Sequence, residues 1–188
     1  MAPTHFTMLS SSTRIVAFAS SAVLSATQDL VRGVLPALTD DADPELVAEE
    51  TLVLVSVVTA RAVEVGLKDA PEAMEAAAQA VLELPFLYHD YLLGGRMVAE
   101  GSEGDVEVDQ TVYDRMARKA EFYGVHFPVG RFPGPHALAE KLPLWMGRIS
   151  PPKLPTLPDK RLADLGLVDL LATHVRLVLA FTQRSNNT

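Results

Sequence analysis

Between Leu84 and Gly95 the chain reads Leu-Pro-Phe-Leu-Tyr-His-Asp-Tyr-Leu-Leu-Gly-Gly, which sets Tyr88, His89, Asp90 and Tyr91 inside an apolar run. Buried polar groups need partners, so this segment either forms a site or anchors a turn of the core. His89 is the group best suited to proton exchange, because an imidazole titrates near neutrality. Tyr88 and Tyr91 stand three residues apart and share a helix face that could wall a pocket with hydroxyl tips. His89 and Asp90 are adjacent and diverge by about 100° on a helix, so they do not orient one another. His126, Arg131 and Trp145, from the proline-rich part of the chain, would complete such a pocket. The competing reading makes both tyrosines core aromatics and His89 a hydrogen-bonded structural residue.

Other chemistry has less to build on. Metal sites on helices space their ligands three or four residues apart, as in Glu-x-x-His. His89, His126 and His174 have no ligand at those distances, and only His136 with Glu140 does. No metal and no cofactor are therefore expected; a haem would have to use His89 or His174 as its axial ligand. There is no nucleophile elbow, Walker loop or Gly-x-Gly-x-x-Gly, so no catalytic residue is assigned. Gly94-Gly95-Arg96 and Gly130-Arg131 pair glycine with a guanidinium, a weak anion signal. The carboxylate pairs Glu45 with Glu49 and Glu72 with Glu75 fall in expected first turns, where helix-dipole complementation accounts for them.

Composition narrows the class. The 188 residues are 48% hydrophobic and 21% charged, which predicts one globular domain. Without Cys there are no disulfides, thiolate zinc sites or thiol nucleophiles, and a cytoplasmic place is expected. The net charge of -8 disfavours nucleic acid and anionic membranes. The best basic cluster, Arg115, Arg118 and Lys119, reads as a solvated helix face. A membrane span needs about 20 apolar residues, and the run from Leu52 to Ala60 stops at Arg61. Arg14 before Ile15 to Ala19 faintly resembles an export signal, but its basic region comes late.

The elements that must position these residues are helices punctuated by proline. Ser11 to Thr13 offer caps for a helix reaching about Leu38. Within it Val16, Val23, Leu30 and Ala37 recur every seven residues, with Ala19, Ala26 and Gly33 three places on, a pattern for close packing or a coiled-coil dimer. Asp43-Pro44-Glu45 starts a helix to about Leu67. From Thr51 to Ala60 it is free of charge on every face, so it should be buried all round; its valines would also suit a buried strand. Asp69 resembles the cap of a helix reaching Leu84, kinked or restarted at Pro85 and ended by Gly94-Gly95. Residues 96–108 read as a polar loop. Asp109 opens a helix expected to stop at Gly124, and a short helix carrying Leu138, Leu142, Trp145 and Met146 follows, bent at Pro143. Pro151, Pro152, Pro155 and Pro158 predict an extended strap, and Asp159 is expected to cap a last apolar helix ending near Arg184.

The expectation is a single all-α domain of five to seven helices around the 44–67 helix, with residues 1–10 as a flexible tail and 150–159 as a Pro-rich connection. Its expected work is non-enzymatic: binding a protein partner or itself, with a homodimer foreseen from the apolar helices at both ends. The alternative is a small-molecule binder or enzyme with its pocket at Tyr88, His89, Asp90 and Tyr91.

Overall fold

The computed structural model describes residues 11–38, 42–99, 110–150 and 165–186, with the backbone alone for 89–99. The described residues form an all-α bundle: α1 (Ser11–Val34), a 3₁₀ turn at Leu35–Ala37, α2 (Pro44–Gly66), α3 (Pro71–Ala99), α4 (Gln110–His126), α5 (Pro135–Ile149) and α6 (Leu167–Asn186). None of the described helices is long and apolar enough to cross a membrane.

Everything is organised on α2. It begins as its sequence demands: Asp43 Oδ1 accepts from the backbone N–H groups of Glu45 (2.9 Å) and Leu46 (3.3 Å), with Pro44 in the first turn. From Glu50 to Glu64 every residue is buried, on all faces of the helix. The valine-rich centre is thus helix rather than strand. The hydroxyls of Thr51 and Thr59 are satisfied locally by the carbonyls of Val47 (2.5 Å) and Val55 (2.6 Å). All five other helices pack against α2, so its Val and Leu side chains each contribute about 1.5–3 kcal/mol of burial.

The stripe that α1 turns inward is Ile15, Ala19, Val23, Ala26, Leu30 and Val34. It takes residues from both of the seven-residue series, because a 3.6-residue helix drifts across a strict heptad. Ala19 and Ala26 therefore lie in the chain's own core, and a Cβ on Gly33 would stand 3.2 Å from Leu167 of α6. At least part of the small-residue stripe serves packing within one chain.

Several boundaries differ from expectation. Ala70, not Asp69, supplies the first carbonyl of α3, to Met74 N at 2.9 Å. α3 continues through Pro85, one of the two readings there, and passes the expected stop at Gly94-Gly95 to reach Ala99. Pro85 is buried and Phe86 packs on Tyr113 of α4 with ring centroids 4.8 Å apart, so tertiary contact offsets the lost backbone bond. α4 passes Gly124, which costs about 1 kcal/mol against Ala, and ends where Phe127 precedes Pro128, a position that disfavours helix. No single helix joins Asp159 to Arg184: Gly166 lies at φ +65°, in the left-handed region, and α6 starts after it. The Pro-rich strap, the cap at Asp159 and the tail 1–10 lie outside the described residues.

Candidate functional site

Among the described residues, the buried charges gather around the two ends of α2. At the N-terminal end Glu50 is 2% exposed and its carboxylate collects donors from three side chains. Arg148 of α5 approaches with Nε at 2.8 Å and Nη2 at 2.9 Å, the Tyr123 hydroxyl of α4 donates at 2.9 Å, and Lys119 Nζ lies 3.0 Å away. Burial pushes the Glu50 carboxyl up, but Arg148, Lys119 and Tyr123 outweigh it and hold the group below its ordinary value. Burial and the Glu50 charge together raise the Tyr123 phenol, so it stays protonated. The Glu50 hydrogen bond raises Arg148, whose guanidinium also lies 4.6 Å over the Phe122 ring.

Glu49 extends the network, bridging Lys119 (2.5 Å) and Arg115 (3.0 and 3.1 Å). This corrects two sequence expectations. Lys119 is 4% exposed rather than part of a solvated face, and Glu49 is held by side chains of α4 beyond any dipole effect. A carboxylate saturated with charged donors is a poor base. None of these side chains lines either of the surface grooves described below. The network is a three-helix lock.

The C-terminal end of α2 is built differently. Arg61 and Glu64, one turn apart, form a close ion pair. Arg61 Nε also donates to the Phe127 carbonyl (2.8 Å), and Glu64 Oε2 accepts from Gly130 N (2.9 Å). The pair thus grips both ends of the turn after α4. Gly130, at φ +71°, supplies the left-handed position such a turn requires. The clamp holds Val129 at the surface with 72% of its area exposed.

Beside that turn lies an open groove of about 810 Å³. Its floor is Met74, Ala78, Leu82 and Phe86, one every four residues along α3, with Val65 of α2. One edge repeats as Glu75, Gln79 and Glu83; Gln79 Nε2 donates to Glu83 at 2.8 Å. The other edge is Glu64, Lys68, Val129 and Gly130. From Met74 to Phe86 the trough runs roughly 18 Å at the α-helical rise.

Of the residues singled out from sequence, the described side chains sit in different surroundings. Tyr88 is exposed on α3, and the side chains of His89, Asp90 and Tyr91 lie outside the described residues. His126 is half-buried, edge-on to Phe122 at 4.9 Å. Arg131 is exposed, whereas Trp145 is fully enclosed in the core with its indole N–H unpartnered among the described residues. Sequence reasoning missed Glu50, Arg61, Glu64 and Arg148. The available signal was their position, charges flanking the apolar stretch of the helix that must be central. His174 was weighed only as a metal or haem ligand; in the structure its Nε2 meets Thr59 Oγ1 at 2.6 Å in the interior. Among the described residues no three His, Asp or Glu side chains are gathered to hold a metal ion. Neither protein-family models, nor curated proteins, nor solved structures yield a match to this chain.

Proposed function

We propose that this chain is a non-enzymatic helical protein that binds a protein partner, and that the α3 groove receives an amphipathic helix with basic flanks. The observation that carries the reading is the open stripe Met74, Ala78, Leu82 and Phe86, walled on one side by Glu75, Gln79 and Glu83. An amphipathic helix in a groove reads such a stripe through anchors at i, i+3 or i+4, and i+7. Lys or Arg beside those anchors would face Glu75 and Glu83, the acidic edge of a chain whose net charge is -8. The Arg61–Glu64 clamp supports the reading, because it fixes the Val129 wall before a partner arrives and lowers the ordering cost of binding. A cytoplasmic place goes with this proposal, supported by a Cys-free chain that a reducing compartment suits.

The test is a titration of the full chain with a fluorescent helical peptide carrying a Leu stripe and Lys flanks, followed by anisotropy. Saturable binding is expected, weakened about tenfold by charge reversal at Glu75→Lys with Glu83→Lys. A peptide with Glu flanks should bind about tenfold more weakly to the parent chain. Equal binding of both peptides, or none, removes the reading. Sedimentation that shows a dimer abolished by Val129→Asp would replace the foreign partner with a second copy of the chain.

A further inference from the structure

A second groove, of about 490 Å³, runs between α1 and α6 and shares no lining residue with the α3 trough. Phe18 and Ala22 of α1 and Leu170 and Leu177 of α6 give it apolar walls. Leu177 is 58% exposed there, and Phe18 is held by stacking on Phe181 at 3.8 Å. Its charged groups are Asp29 from α1 and Asp169 from α6, and no Lys or Arg lines it.

His174 lines the same groove although it is only 7% exposed. Its proton can be placed by elimination. Thr59 has one hydroxyl hydrogen and two close neighbours, the Val55 carbonyl at 2.6 Å and His174 Nε2 at 2.6 Å. A carbonyl oxygen only accepts, so the hydroxyl donates to Val55 and must accept from the imidazole. Nε2 therefore carries the hydrogen, and Nδ1 is left with a bare lone pair. No described residue bonds to it. Burial drives the imidazole down to about 4, which keeps the ring neutral and that lone pair available near neutral pH.

We propose that the groove between α1 and α6 binds an organic ammonium ion with an apolar body, its N–H donated to His174 Nδ1 and its charge facing Asp29 and Asp169. The polar groups of the groove fit a donor and not an anion: a bare imidazole nitrogen, two carboxylates, and the hydroxyls of Ser25 and Thr173. A bare metal ion fits less well, because His174, Asp29 and Asp169 are not gathered as a coordination set. The volume lies in the range of small-molecule sites, about 300–1,000 Å³, and the walls are apolar as such sites require.

Titration of the full chain with 2-phenylethylammonium chloride, followed by nitrogen NMR of the imidazoles, tests this. The His174 Nδ1 resonance should move upfield as its lone pair accepts a hydrogen, with saturation in roughly the millimolar range or below. The neutral analogue 2-phenylethanol should bind at least about tenfold more weakly. Asp29→Asn with Asp169→Asn, both at exposed positions, should lower affinity by about tenfold while leaving the amide spectrum dispersed. Equal binding of the alcohol would reduce the site to an apolar crevice, and an unmoved Nδ1 would remove it. The alcohol comparison uses the parent chain and stands whatever the variants do.

Discussion

The two ends of α2 solve the same problem in opposite ways. Each buries acidic and basic side chains beside the apolar centre of the helix. At the N-terminal end Glu50 is enclosed by Arg148, Lys119 and Tyr123, and its partners lie on α4 and α5. At the C-terminal end Arg61 and Glu64 lie on α2 itself, and what they hold is backbone, the Phe127 carbonyl and the Gly130 N–H. The first arrangement locks helices and faces no groove. The second shapes the wall of an open one. Buried charge alone does not mark a functional site; what matters is whether the groups it fixes border space that a ligand can enter.

Matched substitutions give this contrast its largest expected effect. Glu50→Gln should cost about 3–5 kcal/mol, because Arg148 loses the buried carboxylate it is paired with and the buried Lys119 is left with Glu49 as its counter-charge. Glu64→Gln takes the counter-charge from the buried Arg61 but keeps an acceptor for Gly130 N and leaves Arg61 its bond to Phe127, so a smaller loss of about 1.5–3 kcal/mol is expected. Urea unfolding of the two variants measures the difference. Equal losses would show that both ends are locks of one kind.

Between the ends, Thr59 and His174 join α2 to α6, and this contact should give stability a pH dependence. The unfolded imidazole titrates at about 6.5, and the folded one is held down to about 4 by burial. The unfolded state therefore binds the proton first. The contribution is present in full above the unfolded value and is lost as pH falls through the interval down to about 4. At the bottom of that interval the loss amounts to on the order of 3 kcal/mol. The depressed Glu50 carboxyl adds its own loss at more acidic pH, since a carboxylate bound by cations stabilises above its unfolded value and ceases to when protonated. Urea midpoints followed from neutrality downward should first drop below about pH 6.5. Midpoints flat down to pH 5 would mean that His174 is protonated without penalty and is not the neutral acceptor described above.

Much of the fold was legible because its strongest signals are local. The Asp43 cap, the proline at the start of α2 and the charge-free run from Thr51 to Ala60 each act within one helix, and they predicted the element that is buried on every side. Whether the helix continued through Pro85 or restarted there was not legible, since the Phe86–Tyr113 contact that accompanies the continuation depends on α4. The charge network was hidden for the same reason. Glu50 and Arg148 are 98 residues apart in sequence, and no spacing rule connects them. In the groove, by contrast, the four-residue repeat of Met74, Ala78, Leu82 and Phe86 was visible in the sequence. Its opening to solvent depends on where the Val129 turn is held, which Arg61 and Glu64 decide.

The C-terminal end of α2 also depends on a close approach to α6. A Cβ at Gly66 would overlap Thr182 Oγ1 and stand 2.8 Å from Thr182 Cβ. The Thr182 hydroxyl already bonds the carbonyls of Val178 (3.0 Å) and Leu179 (2.9 Å), so it does not turn away freely. Gly66→Ala gains helix propensity of about 1 kcal/mol, yet overpacking typically costs about 1–3 kcal/mol. A net loss on the order of 1 kcal/mol is expected from thermal melting. A more stable variant would show that α2 and α6 separate without penalty, and that this end is looser than its contacts imply.

The smallest stability effect, and the most discriminating one for function, is expected at Val129. The side chain is exposed and its backbone is held by its neighbours, with Arg131 N bonded to Pro128 O at 3.3 Å and Gly130 N bonded to Glu64. Val129→Asp should therefore change unfolding free energy by no more than about 0.5 kcal/mol, the usual range for surface substitutions. In the groove the same change removes an apolar wall and sets a carboxylate against the apolar face of any bound helix. Affinity for the Lys-flanked peptide should fall about tenfold, because desolvating an unpaired carboxylate outweighs any added attraction to the lysines. If the charge instead tightens binding, the peptide is held by the acidic edge alone and the apolar stripe is not its seat. If binding and stability fall together, Val129 belongs to the packing of the turn, and the two ends of α2 differ less than their geometry suggests.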